Sequence, residues 1–221
     1  MDFASSFLPE SIGWSCNLVA LLLSLYVVST LDWLKTYRTG VFNIWVTAVF
    51  CLGLIWMIRA NLHFGLNIHL SGAMLMTLMF GWRLGVLGMT AVCILVSLWG
   101  NSLPWNLGIS LFINAYLSVS LCYLLFLIVE AFLPRNLFIY LFLTAFFSAA
   151  LSFIVTGTIS VLFLGVFEAF PWSVLLHDYL PYYYLMSFGE AFITCGLITL
   201  FVVYCPRWVY SFRDERYLNR K

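Results

Sequence analysis

Three histidines, His63, His69 and His177, carry the only imidazoles of a chain that is otherwise overwhelmingly apolar. With Asp2, Glu10, Glu168 and Asp178 they make a mixed nitrogen and carboxylate set. That is the donor chemistry of divalent transition metals such as cobalt, nickel, copper or zinc, whereas an all-oxygen set would suit magnesium or calcium. Spacing does not decide the matter: His63 and His69 stand six residues apart, a period that matches no ligand-bearing helix. Interfacial histidines that cap helices or reach for water account for the same residues. Glu190, in Ser187-Phe188-Gly189-Glu190-Ala191-Phe192, lies inside an apolar run. There a carboxylate costs about 2.5 to 3.5 kcal/mol on insertion scales, so the side chain is expected to face other helices rather than lipid. It suits either a hydrogen-bonded clamp between helices or a pocket residue that orients a ligand. Asn114 poses the same choice, with interhelical hydrogen bonding the commoner outcome.

Other chemistries find no support. Met74, Met76, Met79 and Met89 are soft ligands that suit copper(I), but 74, 76 and 79 do not share a helix face, and packing explains them. The six cysteines fall almost one per apolar segment without a CxxC pair, which reads as small buried hydrophobes. No Walker A sequence, Gly-rich nucleotide loop, GxSxG or HExxH is present, so an intrinsic ATPase, hydrolase or protease is not indicated, and no cofactor is expected. The chain reads as a non-enzyme, and energy for any transport must come from a partner or a gradient.

The elements that position these residues are membrane spans. Of 221 residues, 64% are hydrophobic and 9% charged, against roughly 25% charged in a soluble domain. Mean hydropathy is +1.03. The length suits one polytopic bundle, residues 1–221, ending in a short basic tail at 206–221. A net charge of +1 with scattered basic residues gives no reason to expect nucleic acid. Spans are expected at Trp14 to Leu31, Val41 to Ile58, Ile68 to Trp82, Leu84 to Trp99, Leu107 to Val129, Leu137 to Phe167 and Tyr182 to Cys205. The third is too short for a full crossing and reads as a half-helix whose preceding loop lies in the protein interior. The sixth is too long, and predicts a tilt, a break near Gly157, or a tail toward Phe167.

Loop charges orient this all-α membrane fold of about seven helices. Lys35, Arg38, Arg83, Arg135, Arg207, Arg213, Arg216, Arg220 and Lys221 fall on one side, and Arg59 alone on the other. The excess belongs in the cytoplasm, which puts the amino terminus outside and the carboxyl terminus inside. Trp14, Trp33, Trp56, Trp82, Trp99, Trp105, Trp172 and Trp208 lie near span ends, as an interfacial belt requires. Before the first apolar run there is neither a basic region nor a cleavage site, so no cleaved signal peptide is expected.

Four separated stretches resemble the CbiM/NikM family, the membrane substrate-binding component of cobalt and nickel energy-coupling-factor transporters. Met1-Asp2-Phe3-Ala4-Ser5-Ser6-Phe7-Leu8-Pro9 is similar to its opening motif, and His69-Leu70-Ser71-Gly72-Ala73 to its His-Leu-x-Gly-Gly motif. Gly108 to Ala115, with Asn114, looks like a third motif, and Gly189-Glu190-Ala191-Phe192-Ile193-Thr194 matches a fourth. The resemblance implies that a divalent transition metal is the transported substrate. It also implies ligands at Met1, through the terminal amine, at Asp2 and at His69, with His63 available to supply a further ring. Asp2 stands where the family has histidine, which removes one imidazole from that set. Implied partners are a transmembrane coupling subunit and cytosolic ATPase subunits, in a bacterial cytoplasmic (inner) membrane. Two rivals share the fold: a binding protein for a non-metal small molecule, and a structural or assembly subunit of a larger membrane complex.

Overall fold

The computed structural model describes residues 10–58, 60–63, 66–99, 106–213 and 217. Its helices are α1 (Glu10–Ser29), α2 (Trp33–Arg38), α3 (Val41–Met57), α4 (Ala73–Trp99), α5 (Leu107–Phe132), α6 (Leu137–Val166) and α7 (Trp172–Tyr204). Between α3 and α4 the chain forms a small antiparallel hairpin, β1 (Ala60–His63) and β2 (Leu66–Ile68), an addition to the helical fold expected from the sequence. Five of the helices are long and apolar enough to cross a bilayer, and α3 is shorter at 17 residues. Apolar runs without water must satisfy every backbone group internally, which is why these segments are helical almost end to end.

The third and fourth expected spans meet in α4, which is not a single rod. Gly81 adopts φ 77 and ψ −178, a conformation reached essentially by glycine alone. In a straight helix residues 76 and 85 would stand about 13.5 Å apart along the axis. Here a Cβ placed on Gly85 would lie 3.6 Å from the Met76 carbonyl oxygen and from the Thr77 Cα, and the Met76 methyl reaches Gly88. The chain therefore turns back on itself at Gly81. Segment 73–80 is about 12 Å long, less than half the roughly 30 Å hydrocarbon thickness. It is a buried half-helix, and the loop before it is buried too, with Ile68 and His69 at 1% and 5% exposure.

Such a short helix ends inside the protein, where its last carbonyls need partners. The carboxyl-terminal segment supplies them: after the turn Pro206–Trp208, the Tyr210 and Ser211 amides donate to the Met79 and Leu78 carbonyls at 3.0 and 3.1 Å. The Ser211 hydroxyl donates to the same Leu78 oxygen and bonds the Tyr140 hydroxyl at 2.6 Å. These contacts gather the Gly81 turn, the start of α6 and the end of α7 at one end of the bundle. Arg83 joins them by donating to the Thr30 carbonyl just after α1.

The long sixth segment is continuous rather than broken at Gly157. Its 30 residues span about 45 Å, so it tilts or projects beyond the hydrocarbon. Gly157 has a different use, because the Tyr183 ring packs where its Cβ would be. The methionines 74, 76, 79 and 89 are core packing. Cys93 and Cys122 are buried as expected, whereas Cys51 is exposed on α3. Trp14, Trp33, Trp99, Trp172 and Trp208 are exposed near helix ends, but Trp56 is buried at 1% and belongs to no interfacial belt.

Candidate functional site

The residues with chemistry converge where the buried loop meets α5, α6 and α7. Gly72 makes the loop possible, with φ 68 and the Leu52 side chain occupying the place of a Cβ. His69 is fixed from two sides. Its Nδ1 lies 3.1 Å from the Leu70 carbonyl oxygen, and its ring packs against Trp56 with centroids 4.0 Å apart and the planes tilted by 38°. Trp56 in turn donates its indole N–H to the Ser71 carbonyl at 3.1 Å, which is why this tryptophan left the interface. In the tautomer that donates through Nδ1, the lone pair sits on Nε2, the arrangement seen in histidines that ligate metals.

Glu190 reaches the same loop from α7. Its Oε2 accepts the Ser71 amide at 2.8 Å and its Oε1 the Gly72 amide at 2.7 Å, at 3% exposure. Both amides stand at the start of half-helix 73–80, where backbone donors have no intrahelical acceptor. A carboxylate there meets two orphan donors and the positive end of the helix dipole together. Glu190 therefore faces the protein interior rather than lipid, and one of its roles is to tie the His69 loop to α7.

His69, Asn114 and Glu190 line one cavity of about 20 Å³, together with Ser71, Ser118, Ser152, Thr156 and Ser160. Asn114 lies in the middle of a π-helical turn, Phe112–Leu117, a local widening that often marks functional positions. Three of these hydroxyls donate within the wall itself. Ser152 donates to the Ala149 carbonyl at 3.0 Å, Ser160 to the Thr156 carbonyl at 2.8 Å, and Ser118 to the Thr156 hydroxyl at 3.3 Å. The wall thus combines hydroxyl oxygens, the His69 imidazole, the Asn114 amide and the Glu190 carboxylate with the rings of Phe153 and Tyr183. The volume holds about one water-sized particle.

Of the other sequence candidates, the described side chain of His177 stands apart from this cluster. Met1 and Asp2 lie outside the described residues, and His63 closes strand β1 opposite Leu66. His177 is exposed near the start of α7, 13 residues before Glu190 and so about 20 Å away along the helix. Among the described residues no group of three His, Cys, Asp or Glu side chains could hold a metal by itself. The hydroxyls of α6 were missed at the sequence level. Their signal was available: Thr144, Ser148, Ser152, Thr156 and Ser160 recur every fourth residue within an uncharged run, and all are buried. Ser110, Asn114 and Ser118 repeat the pattern on α5.

A comparison with family models matches residues 3–208 to the CbiM family, described as "Cobalt uptake substrate-specific transmembrane region". The chain belongs to the CbiM family. No curated protein and no solved structure gives a match. CbiM membership makes this chain an integral membrane component for cobalt uptake, from a family of transporter components that work with other subunits. It also agrees with the resemblance carried by the His69 and Glu190 motifs, both of which fall inside the matched range.

Proposed function

We propose that this CbiM chain is the substrate-capture subunit of an energy-coupling-factor type transporter that takes up a divalent transition metal, cobalt or nickel. The observation that carries the reading is the size and lining of the cavity: about 20 Å³, bordered by His69, Glu190, Asn114 and hydroxyl oxygens. Pockets for organic ligands run to about 300–1,000 Å³, so a vitamin-like or aromatic molecule has no room here. A single ion does.

In this reading His69 is the nitrogen ligand, held by Trp56 and Leu70, and Met1 and Asp2 contribute from the amino-terminal segment. Glu190 keeps the loop in register and adds negative charge beside the ion. The amino terminus lies outside, so the ion enters from the outer face, and a transmembrane coupling subunit with cytosolic ATPases drives its release inward. The membrane is a bacterial inner membrane.

Element analysis of protein purified without added metal, followed by cobalt and nickel titration, tests the proposal. The protein is expected to bind one of these ions, and His69→Ala to weaken binding by about tenfold or more, the scale of losing one ligand or its support. Absence of any bound divalent metal, or unchanged affinity in His69→Ala, overturns it.

A further inference from the structure

At the opposite end of the bundle from the β-hairpin, a cleft of about 870 Å³ opens between α2, the Gly81 turn and the carboxyl-terminal turn. Lys35, Arg83 and Arg207 line it, three cations contributed by three separate stretches of chain. One acid, Asp32, shares the wall, but its carboxylate already accepts the Lys35 amide at 3.1 Å as the cap of α2. Trp82, Trp208 and Tyr210 complete the cleft, side chains that settle at the level of lipid headgroups. The cleft does not end blindly. Ile44, Met79 and Trp208 also border a second, almost wholly apolar groove of about 510 Å³ that runs up between α3 and α7 past Ala48 and Cys51.

A cationic chamber that leads into an apolar furrow has the polarity of a phospholipid: phosphate at one end, hydrocarbon at the other. We propose that this face binds one anionic phospholipid, its headgroup phosphate among Lys35, Arg83 and Arg207 and an acyl chain in the groove between α3 and α7. Basic pockets between spans are the usual seats of anionic headgroups. The placement gives the lipid mechanical consequence, because the groove's wall includes Leu75, Met76 and Met79 of the half-helix that follows the His69 loop. The inference does not rest on the identity of the transported ion.

The test compares lipid retention by native mass spectrometry after exchange into detergent with phosphatidylglycerol or phosphatidylcholine. Phosphatidylglycerol is expected to remain bound and phosphatidylcholine to be lost. Lys35→Gln combined with Arg207→Gln, both at exposed positions, should weaken retention about 25-fold, at about fivefold per cation. Ala48→Phe, which fills the groove, should displace the lipid while leaving the charges intact. Water-soluble glycerol phosphate should compete poorly. Equal retention of both lipids, indifference to the charge variant, or full competition by glycerol phosphate overturns the proposal, the last by reducing the cleft to a site for free phosphate. Displacement of lipid by a co-purifying protein chain in the groove would overturn it as well.

Discussion

Substituting Glu190 separates its work as a clamp from any contact with the ion. Its two oxygens accept the Ser71 and Gly72 amides at 2.8 and 2.7 Å inside the protein. Hydrogen bonds to a charged group contribute about 1.5–3 kcal/mol each, and a buried donor left without an acceptor costs about 1–3 kcal/mol. Glu190→Leu removes both acceptors and should cost about 3–6 kcal/mol, a large part of a marginal stability of about 5–15 kcal/mol. Glu190→Gln keeps one oxygen for one amide and turns an NH₂ toward the other, so about half of that loss is expected. Thermal unfolding of protein in lipid nanodiscs measures the stability, and cobalt titration of the same samples measures the site. A Gln variant that unfolds near the parent temperature yet binds cobalt tenfold more weakly would assign the charge to the ion. If Gln loses stability and affinity in step, the carboxylate acts through the loop. A Leu variant with unchanged unfolding and unchanged binding would refute the reasoning, because two buried amides would then have lost their acceptors without effect.

Three further outcomes are expected. Gly81→Ala forces an L side chain into a glycine conformation and sets its Cβ about 3.1 Å from the Tyr210 ring, so it should lower stability by about 1–3 kcal/mol, read as a fall in unfolding temperature. Trp56→Phe keeps an aromatic face on His69 but loses the bond to the Ser71 carbonyl, and should cost about 0.5–1.5 kcal/mol, with weaker metal binding than the parent and stronger than Trp56→Ala. A reporter fused after Lys221 should be cytoplasmic and a tag at Met1 accessible from outside; labelling of both from one side would break the orientation inferred from the loop charges.

Hydropathy alone made the helical membrane class legible, because bilayer thickness and backbone satisfaction leave an apolar chain few options. The half-helix was legible too, since Ile68 to Trp82 is too short to cross and is followed at once by another apolar run. What hydropathy could not give was its meaning at Gly81, where a reversal and a kink look alike in sequence. The missing donors for the Leu78 and Met79 carbonyls come from residues 210 and 211, more than 130 positions away, and no local pattern announces such a pairing. Glu190 was legible as an inward-facing residue on cost grounds, but its partners were not, because backbone amides of a buried loop carry no side-chain signature. Trp56 was misread for the same reason: at the end of a span an indole suits the interface equally well, until a buried carbonyl claims its N–H.

The docking of residues 209–212 against the half-helix ties the completion of that half-helix to the last part of the chain to be made. Segment 73–80 leaves the ribosome early, too short to hold itself in the hydrocarbon and with its terminal carbonyls unmet. The clamp on its other end, Glu190, is translated more than a hundred residues later, and the amides that donate to its last carbonyls come later still. The ion-sized chamber around His69 is thus among the last features of the chain to become complete.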